Sequence, residues 1–156
     1  MPVTSSTSGK GHNRGLIVGV GNEYRRDDGI GIRIASLASL EGFDVMTIMM
    51  ITPELAETLC EYDVVIFVDA SVEGDPVELK RIFSDGSSTL PLFHQITCEG
   101  ILALTEALYQ RTPEAYLLSV RGYDFDHGEG FSQKAQKNLE KALECLNDFH
   151  LTGRPG

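Results

Sequence analysis

Positive charge is scarce in this chain: 13 lysines and arginines stand against 23 aspartates and glutamates, a net charge of −10. A surface of that sign repels phosphate backbones and anionic headgroups, which argues against nucleic acid and membranes as partners. Cysteine is scarce too. Cys60, Cys98 and Cys145 are odd in number, far apart and form no CxxC, so neither a zinc knuckle nor a redox dithiol is expected. Free thiols in a reducing cytoplasm are the simpler reading. No apolar run approaches the ~20 residues of a membrane span, and residues 1–14 lack the apolar stretch of a secretory signal. HExxH and GxSxG are also missing, so zincin and serine-hydrolase chemistry lack their signatures. The expectation is a cytoplasmic monomer with a polar tail over 1–14 and one domain over 15–150.

What is present is an alternation of strand and helix patterns. Gly15 to Gly19 (GLIVG) suits a strand buried on both faces. From Asp27 or Asp28 onward, Ile30, Ile34, Leu37 and Ala38 recur at helical spacing, with Gly42 as the stop. Phe43 to Ile51 reads as a second strand, with Met46, Met49 and Met50 as core filling. Thr52 then caps a helix that has Pro53 in its first turn and ends near Cys60. Val64 to Val68 is a run of apolar residues that implies a central parallel strand. Val77 to Phe83 alternates like an edge strand. Thr97 to Gln110 is helical, with Ile101, Leu104, Thr105 and Leu108 on one face, and Ala115 to Val120 is a further strand. Ser132 caps a last amphipathic helix whose inner stripe is Ala135, Leu139, Ala142, Leu143 and Leu146. This order predicts a three-layer α/β sandwich: a doubly wound, mostly parallel sheet with one antiparallel edge strand and helices on both faces.

The densest chemical signal is GVGNEYRRDDGIG, Gly19 to Gly31, between the first strand and the first helix. A dinucleotide loop would occupy that place, yet Tyr24 stands where GxGxxG needs glycine. Asp44, at the spacing of a ribose-binding acid, begins its strand instead of ending it. Asp27 and Asp28 would also repel a pyrophosphate at the helix entrance. For Asp27 the simple role is helix capping; a single cap needs one carboxylate, which leaves Asp28 available. Asp69 ends the VVIFV strand, where open α/β sheets place ligands. An unpaired carboxylate there is costly to desolvate, so a loop N–H or a cation such as Arg33 would serve as its structural partner. His94 lies in the loop PLFHQIT before a helix. If the first and third strands are neighbours, Asp28, Asp69 and His94 can converge on one edge. Oxygen and nitrogen donors of this kind suit nickel or zinc and leave coordination positions open. Cys98 reads as a small buried thiol and His127, in DFDHGEG, as a solvated loop residue.

Three blocks resemble the hydrogenase maturation endopeptidases: GLIVGVGNEYRRDDGIGIRI, YDVVIFVDAS and HQITCEGILAL, with GEGFS before the last helix as a weaker fourth. Each is modest; their joint order is specific. The resemblance implies that Asp28, Asp69 and His94 are metal-sensing and catalytic positions, and that Gly19, Gly21 and Asn22 match the loop shaping the site. Cys98 departs from the serine frequent in relatives. It also implies an activity: removal of the carboxyl-terminal extension from the large-subunit precursor of a nickel–iron hydrogenase, after nickel insertion. The nickel would arrive on the substrate, so the resting protease need hold no metal. The rival expectation is a non-enzymatic doubly wound module binding a small ligand or partner, with Asp28 as a cap and Asp69 as a loop staple.

Overall fold

The computed structural model describes residues 13–85, 95–150 and 154–155. In chain order the elements are β1 (Gly15–Val20), a 3₁₀ turn (Arg26–Gly29), α1 (Ile30–Leu37), β2 (Phe43–Ile48), α2 (Leu55–Leu59), β3 (Val64–Ser71) and β4 (Val77–Ile82). Then come α3 (Cys98–Tyr109), β5 (Glu114–Arg121), α4 (Gln133–Asn147) and a closing two-stranded pair, β6 (Phe149–His150) and β7 (Arg154–Pro155). Five strands form one sheet in the order β2-β1-β3-β5-β4. All neighbours in it are parallel except β4, which runs antiparallel to β5 at the edge.

The three layers follow from which way side chains leave the strands. In β3, Val65 and Phe67 pack with Leu55 and Leu59 of α2 and with Ile101 and Leu102 of α3. The alternate residues Val64, Ile66 and Val68 face the other way, onto Ile30 and Ile34 of α1 and Leu139 and Leu146 of α4. A strand covered on both faces has no polar side, which is why VVIFV is uninterrupted. Each such residue contributes roughly 1.5–3 kcal/mol when fully buried. In β4, Glu78, Lys80 and Arg81 are exposed, and charged side chains of this kind protect an edge from pairing with another chain.

Two helices start as the sequence suggests. The Thr97 hydroxyl accepts from the Gly100 N–H (2.9 Å) and the Ser132 hydroxyl from the Ala135 N–H (3.2 Å). Other expectations are corrected. Thr52 places no side-chain cap on α2, which begins only at Leu55; its hydroxyl bonds the Glu54 side chain instead. The first helix ends at Leu37, well before Gly42. Leu108 is exposed, and Leu102 takes the inner position. β2 stops at Ile48 because β1, its pairing partner, runs out at Val20. Met46 is core, but Met49 and Met50 are thereby left exposed.

The topology positions a crevice. From β1 the chain goes through α1 to β2 on one side of the sheet, whereas β3 continues toward β5 and β4 on the other. The loops leaving β1 and β3 part at their carboxyl ends, where doubly wound sheets hold their ligands. Gly19 pairs with Val68 in the register, so Asp69 emerges level with the start of the Gly21 loop.

Candidate active site

Close backbone approach builds the site's floor. A Cβ on Gly31 would run into the carbonyl oxygens of Val68 and Val20, so only glycine lets α1 seat against both strand ends. Gly21 has φ 155°, and a Cβ there would collide with the Asp28 carbonyl oxygen. Gly19 packs against Gly31 and Ala35. The Asn22 side chain accepts from the Tyr24 N–H (2.9 Å), and the Asn22 N–H donates to Asp28 Oδ2 (3.0 Å). The glycine loop and the acidic turn therefore hold each other in shape.

Asp28 and Asp69 line one pocket of about 450 Å³, together with Gly21, Arg25, Cys98 and Glu99. Burial pushes the Asp69 carboxyl up to about 7, the Ala70 N–H pulls it down, and the nearby charge of Asp28 adds to the rise. Its hydrogen-bond partner is thus the Ala70 N–H; among the described residues no ion pair joins it to Arg33. A carboxyl this high is only partly ionised near neutral pH, and an approaching cation favours its charged form. Cys98 is buried, and its thiol is pushed up by burial, then by Asp69 and Glu99. That is the opposite of an activated thiolate, and the inert-thiol reading stands.

Asp27 does not cap its own helix. It is 0% exposed, and its carboxylate accepts from the N–H groups of Tyr123 (2.8 Å), Asp124 (2.9 Å) and Ser132 (2.9 Å) and from the Ser132 hydroxyl (2.7 Å). Burial raises its carboxyl, but these donors outweigh it and leave the net shift downward. Asp44 sits at the amino end of β2, paired in register with Leu16, and is held by the Tyr62 hydroxyl (2.6 Å) and Arg14 (3.1 Å). It is at the wrong end of the sheet for a cofactor. His127 is exposed.

His94 lies outside the described residues; the chain is described again from Gln95, which lines the pocket. Among the described residues no group of three histidine, cysteine or acidic side chains is placed to hold a metal ion. The ionisable oxygen donors lining the pocket are Asp28, Asp69 and Glu99, a set that suits an ion brought with further ligands of its own. Met49, Met50, Arg25 and Glu99 also line the pocket and were not picked out from sequence. Pairing length was the available signal: a strand set against the six residues of GLIVGV cannot stay in the sheet as far as Met50.

Fold and site together define a doubly wound α/β protein with a carboxylate-lined crevice at its switch point. No family model and no curated protein matches the chain. Solved structures do. The hydrogenase maturating endopeptidase HybD from E. coli is similar at 23% identity, with 84% of this chain and 88% of that one covered and a TM-score of 0.64. The nickel–iron hydrogenase maturation protease HybD from Thermococcus kodakarensis is similar at 22%, covering 84% and 95%, with a TM-score of 0.65. The hydrogenase 2 maturation peptidase from a Thaumarchaeota archaeon is similar at 25%, covering 84% and 94%, with a TM-score of 0.61. These neighbours establish the fold and support the family resemblance read from the sequence. No described helix is long and apolar enough to cross a membrane.

Proposed function

We propose that this chain is an endopeptidase that removes the carboxyl-terminal extension of a nickel–iron hydrogenase large-subunit precursor after nickel insertion. The observation that carries this is the convergence of Asp28 and Asp69 on one pocket, in a fold shared with maturation endopeptidases. His94, one residue before the pocket-lining Gln95, supplies the imidazole. Two carboxylates and an imidazole leave room for the ligands of a second molecule, so nickel can be presented by the precursor. The precursor is then the partner and the nickel part of the substrate. Without that ion, burial and the charge of Asp28 make Asp69 resist ionisation; a cation offsets both penalties. Recognition of a loaded precursor over an empty one follows from this electrostatic difference.

A rival reading has one observation in its favour. Asp28 accepts the Asn22 N–H, as a purely structural loop staple would. The deciding experiment incubates the purified chain with the large-subunit precursors encoded in the same genome, with and without nickel, and weighs the released tail. The expected result is a cut in the loaded precursor alone. Cleavage of both forms removes the metal-sensing part, and cleavage of neither favours the non-enzymatic module.

A further inference from the structure

Beside the acidic pocket lies a second hollow of about 170 Å³, walled by Gly21, Tyr24, Ile32, Ile48 and Met49. Gly21 and Met49 belong to both walls, so one saddle at the carboxyl ends of β1 and β2 separates the two. The saddle carries no side chain at Gly21, and none can be added without striking the Asp28 carbonyl oxygen. On the far side of it the lining is mostly apolar, with Glu23 and Thr47 as its polar members. Tyr24 and Met49 are 66% and 61% exposed, and large apolar side chains grouped at the rim of a site mark a contact surface. A cavity of about 150 Å³ lined by apolar side chains accommodates benzene, so this hollow has room for one side chain of leucine or phenylalanine size.

We infer that the hollow is a specificity subsite, taking one apolar side chain from the extended stretch of the precursor that flanks the cleaved bond. This rests on the function proposed above: the metal-bearing part of the substrate occupies the pocket, and the flanking chain crosses the saddle. Charge selects the occupant. The pocket presents Asp28, Asp69 and Glu99, and among the described residues the one charged residue lining the hollow is Glu23. An acidic segment is repelled on both sides, whereas an apolar residue next to a cationic centre is complementary to them. Arg25 lessens this without reversing it, because its single positive charge stands against three carboxylates in the same lining. In an extended chain alternate side chains point to opposite sides, so a segment lying over the saddle directs one of them down. Methionine is unbranched and adaptable, which makes Met49 a wall that selects apolar character over one particular residue.

The test is steady-state cleavage of the nickel-loaded precursor by the wild type, Ile32→Trp and Tyr24→Glu, with circular dichroism to confirm the fold. The precursor is varied to leucine or aspartate at each position beside the cut. Filling the hollow with Ile32→Trp should raise KM by about tenfold with kcat within about twofold, because the lost contact is made equally in ground and transition states. One flanking position should favour leucine over aspartate in the wild type and lose that preference in Ile32→Trp. Tyr24→Glu, at an exposed position that lines the hollow alone, should raise KM in the same way and covers the case in which Ile32→Trp fails to fold. An unchanged KM in the folded variants overturns the subsite alone. A wild type that cuts no loaded precursor overturns the proposed function, and the subsite with it.

Discussion

Asp27 and Ser132 are joined by two hydrogen bonds across 105 positions of sequence: the Ser132 N–H to Oδ1 at 2.9 Å and its hydroxyl to Oδ2 at 2.7 Å. The same hydroxyl oxygen caps α4 through the Ala135 N–H. One buried carboxylate thus ties the acidic turn that carries Asp28 to the loop before the last helix. Asp27→Ala should cost about 3–5 kcal/mol, since it strands several buried donors at once. Ser132→Ala should cost about 1–2 kcal/mol, the range of a lost cap. Urea unfolding curves measure both.

Asp27 also sets an acid limit. Its carboxyl lies below the ordinary value of 3.8, so the folded state favours the charged form. The stability it contributes is complete above that value and is lost as pH falls through the lower folded one. Wild type should therefore lose stability below about pH 4, and Asp27→Asn should show a flatter acid limb.

Asp69 acts in the opposite sense. Its carboxyl is pushed from 3.8 to about 7, so folding favours the protonated form, and stability falls as pH rises from the lower to the higher value. Above neutrality the cost is on the order of 2–4 kcal/mol. Asp69→Asn should raise Tm at pH 8 and leave it nearly unchanged at pH 4. The same substitution should abolish processing, pairing a gain in stability with a loss of function. A Tm at pH 8 no higher than wild type would show that the carboxylate is better solvated than its burial implies.

Gly31→Ala should destabilise the fold by about 2–4 kcal/mol, because the new methyl meets two backbone carbonyls that cannot turn aside. α1 must lift from the strand ends, so processing should fall along with Tm. Thermal melts and cleavage of the loaded precursor check the two together.

His94→Ala should reduce processing of the loaded precursor by about 100-fold or more, the scale of a lost acid–base or ligand group. Its Tm should stay within a degree or two of wild type. Full activity in that variant would mean that the third donor is another residue.

Fold class and layers were legible because the physics that sets them is local and periodic. VVIFV declares a strand covered on both faces, the stripe from Ala135 to Leu146 declares an amphipathic helix, and Thr97 and Ser132 declare helix starts by their own hydroxyls. Errors fell where pairing decided the outcome. Nothing within Phe43 to Ile51 says that β1 ends early enough to leave Met49 and Met50 at the rim. Leu108 fits the helical face of its neighbours, yet among the described residues nothing covers it and it stands exposed. Asp27 reads as a cap because helix entrances usually use acids that way, and its true donors arrive from another part of the chain.

The residues alone determined that Gly19, Gly21 and Asp69 stand at or just past the ends of apolar strand runs and Asp28 at a helix entrance, since such runs and the breaks between them are written in consecutive side chains. Only the tertiary structure decided that Asp28 and Asp69 share a pocket, that Asp27 does not, and that an apolar hollow adjoins them. Those outcomes depend on which strands become neighbours and how closely α1 descends on them, and that is settled by packing between segments far apart in the chain.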